Sequence, residues 1–184
     1  PPMVGAEVQI APDGEILLRG ESMMKGYWNL PDVTAATIVD GWLHTGDIGM
    51  FDEEGSLIIT DRKKDIIVNS GGDNISPQRI EGLMTLETEI SQAMVYGDAL
   101  PYLVAVVWPE EDFMREFARD NSIENNIDVL AKNEDFRKAI RDAIDRVNKR
   151  LSTIEKVRSF MFAEAPFSID NEMLTPSMKI RRHK

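Results

Sequence analysis

The 184-residue chain contains no cysteine and only two histidines, His44 and His183. Without cysteine there is no disulfide framework, no thiolate zinc site and no thiol nucleophile. Two histidines leave little material for a histidine-rich metal site or a serine–histidine relay. No run approaches the ~20 consecutive apolar residues that a bilayer-spanning helix needs, and no secretory leader is legible at the start. Basic charge is in deficit as well: 21 Lys and Arg stand against 32 Asp and Glu, for a net charge of -11 and an isoelectric point near 4.7. That balance argues against a nucleic-acid partner, which would need a basic face. The exception is the last stretch, Lys179-Ile180-Arg181-Arg182-His183-Lys184. No G-x-x-x-x-G-K-[ST] phosphate loop occurs. The chain opens on Pro1-Pro2 rather than Met, and it is expected to be a piece of a longer protein.

What is present suits a globular protein with a real core, since 42% of residues are hydrophobic and 29% charged. The length allows one or two domains. The first forty residues read as small strands and turns. Glu7–Ile10 alternates, Pro12-Asp13-Gly14 turns, and Glu15–Arg19 returns, which makes a hairpin. Tyr27 and Trp28 are expected to be packing anchors. Pro31-Asp32 opens a short helix. Further on, residues 76–86 form a helix with Ile80, Leu83 and Met84 on one face. Strands follow at Ile90–Tyr96 and Tyr102–Trp108, the second of them β-branched and buried. Helices are expected over 110–120, 127–132 and 134–151. In the last of these, Phe136, Ala139, Ile140, Ala143, Ile144, Val147 and Leu151 recur at helical spacing. Residues 157–162 alternate as a strand.

The densest stretch is Gly41 to Glu81. An acidic turn, Asp52-Glu53-Glu54-Gly55, joins an alternation at Ile48 and Met50 to a strand over 57–60. Five charges follow, Asp61-Arg62-Lys63-Lys64-Asp65. A loop runs from Val68 to Asn74, and Ser76-Pro77 opens a helix as N-cap and first residue. By residue type alone, Asp47 is either a strand-capping carboxylate in a turn or an acceptor for a pair of hydroxyls. Gly71-Gly72 is either a plain turn or a place where the backbone approaches a ligand closely. Lys63 and Lys64 read as a solvated charge run, and Lys179 as part of a basic tail.

Several motifs in this stretch occur together, in one order and at one spacing. Trp42, Thr45-Gly46-Asp47, Asp61-Arg62-Lys63-Lys64-Asp65, Ser70-Gly71-Gly72-Asp73-Asn74-Ile75-Ser76-Pro77 and Ile80-Glu81 resemble the signature of the adenylate-forming superfamily of acyl-CoA synthetases, luciferases and peptide-synthetase adenylation domains. Gly14-Glu15-Ile16, Gly20, Met24 and Gly26-Tyr27 are similar to a further motif of that family. The resemblance covers essentially the whole chain but only the carboxyl-terminal third of the family's usual length. The polar excursion from 118 to 133 and the run Leu174-Thr175-Pro176-Ser177-Met178-Lys179 resemble the long-chain fatty acyl-CoA synthetases.

The resemblance implies an α+β fold in two parts. Residues 1–61 would be a small β-barrel or hairpin segment, the last β-rich piece of an amino-terminal adenylation domain. Residues 62–184 would be a mixed α+β mobile lid, with a hinge near 62–64. It implies an AMP-forming ligase that joins a carboxylic acid, most closely a long-chain fatty acid, to CoA through an acyl adenylate. ATP, Mg2+ and CoA are the implied cosubstrates. Asp47 and Arg62 would bind the nucleotide ribose and phosphates, Lys64 would be the hinge, Gly71 and Gly72 would line the CoA tunnel, and Lys179 would be catalytic. Lys179 is preceded by Met178 where many relatives carry Gly. No residue is assigned to a metal. The implied partner is the missing adenylation domain in cis, and the implied location is cytoplasmic, with peripheral membrane contact left open. Two alternatives stay open: a fatty acyl-AMP ligase that loads a carrier protein, and, for this stretch alone, a non-catalytic binding module.

Overall fold

The computed structural model describes residues 5–182, so Pro1, Pro2, His183 and Lys184 lie outside the described residues. The chain divides after Ile66 into two compact units. Both mix strands and helices, in the α+β class that the sequence implied.

The first unit is a five-stranded, wholly antiparallel sheet carrying one short helix. Strands β1 (Ala6–Ile10) and β2 (Glu15–Gly20) form the expected hairpin. Helix α1 (Pro31–Thr37) buries none of its residues and leads into β3 (Ile38–Val39). Strand β4 (Trp42–Phe51) is the longest of the sheet, pairing with β2 and β3 near its start and with β5 (Leu57–Arg62) near its end. The 48–51 alternation is therefore only its second half. Tyr27 and Trp28 are not the packing anchors expected of them. Trp28 is 89% exposed and Tyr27 44%, because the segment after β2 turns outward through Gly26 and Asn29, both at positive φ.

A buried carboxylate shapes the middle of β4. Opposite β2, the register jumps from Leu17–His44 to Glu15–Ile48, so Thr45, Gly46 and Asp47 face Ile16 alone. The bulge is closed from both sides. Thr45 Oγ1 donates to the Ile16 carbonyl at 2.7 Å, Gly46 N–H donates to Glu15 Oε1 at 2.9 Å, and Lys63 N–H donates to the Gly46 carbonyl at 2.8 Å. Gly46 takes φ +70°, which a side chain would resist. Glu15 Oε2 in turn lies 2.9 Å from His44 Nδ1 and 3.0 Å from Lys63 Nζ, which also pairs with Asp13 at 2.7 Å. Lys63 is exposed, as a charge run would be, but its ammonium also ties β2 to the end of β5. Burial pushes the Glu15 carboxyl up, but hydrogen bonds from His44, Lys63 and the Gly46 N–H outweigh it and hold the group below the usual range. Lys63 holds Asp13 down likewise, and Asp13 and Glu15 raise the Lys63 ammonium.

The second unit has a three-stranded sheet and a two-stranded ribbon, β6 (Ile67–Val68) with β7 (Asn74–Ile75). Ser76 caps α2 (Pro77–Met84), its hydroxyl accepting from Arg79 N–H. Strands β8 (Ile90–Tyr96) and β9 (Leu103–Pro109) are antiparallel, and β9 alternates buried and half-buried residues along its length. The chain then crosses over through α3 (Glu111–Asp120), α4 (Ile127–Leu130) and α5 (Glu134–Asn148) to β10 (Val157–Phe162), which lies parallel to β9. Two parallel strands need such a crossover. Leu130 is fully buried, so the polar excursion is itself pinned to the core.

Helix α5 buries Phe136, Ile140, Ala143, Ile144 and Val147 on one stripe. It stops at Asn148, three residues before the expected end. There the Asn148 side chain accepts from Val157 N–H and donates to the Val157 carbonyl, starting β10 instead of continuing the helix. Phe136 is the hub of an aromatic cluster, with ring centroids 5.1 Å from Phe117, 5.4 Å from Phe113 and 5.7 Å from Phe162.

Two expectations follow. Phe136→Ala empties the centre of that cluster and should lower the stability of the second unit by about 3–5 kcal/mol, read by chemical denaturation. In the first unit, both carboxyls are lowered, so their contribution is present above the unfolded carboxylate range near pH 4 and is lost as pH falls through the folded values. The Lys63 contribution is present below the ordinary lysine range and is lost only as pH rises past it. The protection factors of the β2 and β4 amides should therefore fall below about pH 4. In Glu15→Gln that acid dependence should flatten.

Candidate functional site

The site residues named by the sequence fall into two groups, one in each unit. In the first unit the bulge sets Asp47 against the end of β5. Asp47 and Arg62 are direct cross-strand partners, with Arg62 Nε 2.9 Å from Asp47 Oδ1. Neither is sequestered: the Asp47 side chain is 25% exposed and that of Arg62 53%. An accessible carboxylate beside an accessible guanidinium presents acceptors for hydroxyls and a fork for phosphate oxygens in one place. A polar cleft of about 340 Å3 adjoins them, with Glu15, Tyr27, His44, Arg62 and Lys64 among its walls. Residues 63–65 form a turn closed by Asp65 N–H and Ile66 N–H, both donating to the Arg62 carbonyl. Lys64 is exposed at its crest.

In the second unit, Gly71 and Gly72 lie at the tip of the β6–β7 ribbon. The tip is organised by Asn69, whose Oδ1 accepts from Gly71 N–H at 2.8 Å and from Asp73 N–H at 2.9 Å. A Cβ at Gly71 would meet that oxygen at 3.2 Å, and Gly72 holds φ +85°. Both glycines are exposed. The loop is thus a preshaped, bare stretch of backbone, open to a ligand on its outer side.

Lys179 stands on a separate hairpin. Leu174 and Ile180 form an antiparallel bridge, and Thr175 N–H donates to the Lys179 carbonyl at 2.8 Å. The turn between them, Thr175–Met178, is closed by Met178 N–H on the Thr175 carbonyl at 2.8 Å. Thr175 Oγ1 accepts from Lys179 N–H at 3.0 Å. Met178 takes φ +61°, a left-handed conformation that Gly would adopt at less cost. Lys179 therefore leaves a tight turn as an exposed cation on ordered backbone. Below it, a cavity of about 210 Å3 is lined by Gln78, Glu81, Ile180 and Arg182 among others.

Three residues of these sites carry no role in the sequence reading. Glu15 and Glu81 are two of the three buried acidic residues among those described, Asp61 being the third. Arg182 was part of the basic tail, yet its guanidinium is turned inward onto Glu81. The signal for both carboxylates was a charged residue inside an otherwise apolar run, in Gly14-Glu15-Ile16 and Ile80-Glu81. Among the described residues, no group of three or more His, Asp and Glu side chains is arranged to hold a metal ion.

Residues 64–184 match the family model described as the AMP-binding enzyme C-terminal domain. A long-chain-fatty-acid–CoA ligase of Mycobacterium tuberculosis, FadD15, is 38% identical over 98% of this chain and 30% of its own length. Long-chain-fatty-acid–CoA ligase 1 of Cavia porcellus is 37% identical over 92% of this chain and 25% of its own length. The chain therefore spans under a third of the relatives it matches. Among solved structures, O-succinylbenzoate coenzyme A synthetase of Bacillus subtilis in complex with AMP superposes with a TM-score of 0.70 at 25% identity, covering all of this chain and 34% of that one. The adenylation domain of a carboxylate reductase from Mycobacterium chelonae shares the fold, with a TM-score of 0.79 at 24% identity. The chain belongs to the AMP-binding, adenylate-forming enzymes, and its second unit is their carboxyl-terminal domain.

Proposed function

We propose that this chain is the carboxyl-terminal part of an AMP-forming long-chain fatty-acid–CoA ligase. The observation that carries the reading is the match to ligases of that name over 98% of this chain and under a third of theirs. In the first half-reaction a carboxylate oxygen attacks the α-phosphorus of ATP, and the bond to pyrophosphate breaks. In the second, the CoA sulfur attacks the carbonyl carbon of the acyl adenylate, AMP leaves with the bridging oxygen, and the thiol proton is lost to solvent.

The residues of this chain divide that work. Asp47 accepts from the ribose hydroxyls, and Arg62, fixed beside it at 2.9 Å, reaches the ribose and phosphate oxygens. Both reacting partners of the first step are anions, and negative charge grows on the pyrophosphate as it leaves. Lys179 answers that charge with a cation from an ordered hairpin, an effect of order 10²–10³ in rate. Gly71 and Gly72 present bare backbone along the pantetheine arm of CoA in the second step.

Lys64 is the pivot between the two poses. Lys63 is paired to Asp13 and Glu15, which anchors the chain through Lys63 to the first unit and leaves Lys64 as the first residue able to turn. The hinge of this reading therefore falls near 62–64, just before the division after Ile66. The missing adenylation domain supplies the acyl pocket and the phosphate loop in cis. No described helix is long and apolar enough to cross a membrane. The reading places the enzyme in the cytoplasm, where a fatty-acid substrate would favour peripheral contact with a membrane.

In the full-length protein, ATP–pyrophosphate exchange should be fastest with long-chain acids in a series from acetate to oleate. Lys179→Ala should slow it about 10²–10³-fold while acyl-CoA formation from supplied acyl adenylate survives. Exchange that persists in the variant would remove Lys179 from the mechanism. Exchange without acylation of CoA would favour a carrier protein as acceptor. The 184-residue chain alone should form no acyl adenylate.

A further inference from the structure

Glu81 does more than cap a core. Its carboxylate sits within α2, 7% exposed, and joins three separate segments. Oε1 accepts from the Val95 N–H of β8 at 2.7 Å. Arg182 meets the same carboxylate with both terminal nitrogens, Nη1 on Oε1 and Nη2 on Oε2, the latter at 2.8 Å. Arg182 Nη1 also donates to the Val95 carbonyl at 3.2 Å. A two-pronged Arg–carboxylate pair fixes orientation as well as distance, and at this burial solvent screens it little.

Arg182 is three residues beyond Lys179. Between them, Ile180 bridges Leu174 and packs beside the small apolar cluster of Ala163, Phe167 and Leu174, and Arg181 N–H donates to the Met173 carbonyl at 2.9 Å. Beyond these contacts, the Arg182 fork fixes the end of the described returning arm. On the other arm, the turn carries Met178 in a left-handed conformation, which L residues adopt only when their surroundings hold them there. A lysine has a flexible four-carbon stem, so the aim of its ammonium depends on the backbone beneath it. A misplacement of about 1 Å in such a group can cost about 10²-fold in rate.

We infer that Glu81 and Arg182 form a positioning clamp for Lys179, holding the register of its hairpin for the adenylation step. The inference rests on the proposed ligase function and on Lys179 acting in its first half-reaction. Neither Glu81 nor Arg182 touches the reacting atoms. Their effect is specific to the half-reaction that uses Lys179, because acyl transfer to CoA presents the Gly71-Gly72 loop instead.

The test uses the full-length ligase with Arg182→Met, Arg182→Lys, Glu81→Gln and Lys179→Ala. Glu81→Gln is the gentler variant, since its amide oxygen can still accept from Val95 N–H and keep α2 seated. Arg182→Met and Glu81→Gln should slow ATP–pyrophosphate exchange about 10²-fold, with acyl-CoA formation from supplied acyl adenylate little changed. Arg182→Lys, which restores the charge but not the fork, should recover part of the loss. Amide exchange at Thr175 and Arg181 should quicken in the clamp variants while the amides of α5 stay protected. If both half-reactions fall together, or if exchange is unaffected by the clamp variants while Lys179→Ala abolishes it, the clamp is overturned and the ligase reading stands. If Lys179→Ala itself leaves exchange intact, the assigned role of Lys179 fails and the clamp falls with it.

Discussion

A carboxylate taken out of water must be met by donors on every side, or its burial costs several kcal/mol. Of the three buried carboxylates among the described residues, Glu15 in the first unit and Glu81 in the second have donors on both oxygens. Glu15 is met by a backbone N–H, a histidine and a lysine. Glu81 is met by a backbone N–H and a guanidinium fork. In both cases the donors come from segments far apart in sequence, so the requirement to satisfy one side chain draws separate strands and loops into a fixed arrangement. The apolar cores hold the units together, whereas these two carboxylates set the geometry of the irregular backbone next to the functional groups.

That division explains why the candidate chemistry sits on departures from regular structure. Asp47 is carried on a bulge, where β4 holds more residues than β2 can pair. Lys179 follows a left-handed Met178, and the Gly71-Gly72 loop is braced by one asparagine side chain. A regular strand or helix would have pointed each group in a direction dictated by its period. A bulge or tight turn can aim a side chain elsewhere, provided something rigid lies behind it. For Asp47 that support is the Glu15–Lys63 cluster, and for Lys179 it is the Ile180 anchor and the Arg182 fork. The one buried side-chain oxygen left without a hydrogen bond among the described residues is Asp61 Oδ2, one residue before Arg62.

Most element positions were legible because they rest on short-range chemistry. Ser76-Pro77 starts α2 through a local cap, Pro12-Asp13-Gly14 turns on its own φ preferences, and the spacing from Phe136 to Val147 allows one buried stripe. What was missed was decided by partners elsewhere in the chain or by backbone conformation that residue type does not announce. Helix α5 ends at Asn148 because Val157 needs its side chain. The exposure of Lys63 was legible, but its pairing was not, because its partners, Asp13 and Glu15, lie about fifty residues away. Tyr27 and Trp28 looked like core aromatics, but the positive-φ residues around them carry the segment outward.

By itself the sequence carried the α+β class, and the resemblance of its motifs to the adenylate-forming family singled out Asp47, Arg62, Lys64, Gly71, Gly72 and Lys179 as candidate residues. Those properties belong to single residues and short windows, so a linear string can carry them. Only the tertiary structure decided that Asp47 and Arg62 are cross-strand neighbours, that Glu15 and Glu81 are buried hubs, and that the Arg182 of an apparent basic tail turns inward. The physical reason is that burial and charge pairing are properties of a site in space. The energy of a carboxylate is set by the donors that folding brings within about 3 Å of it, and sequence distance says nothing about which ones those will be.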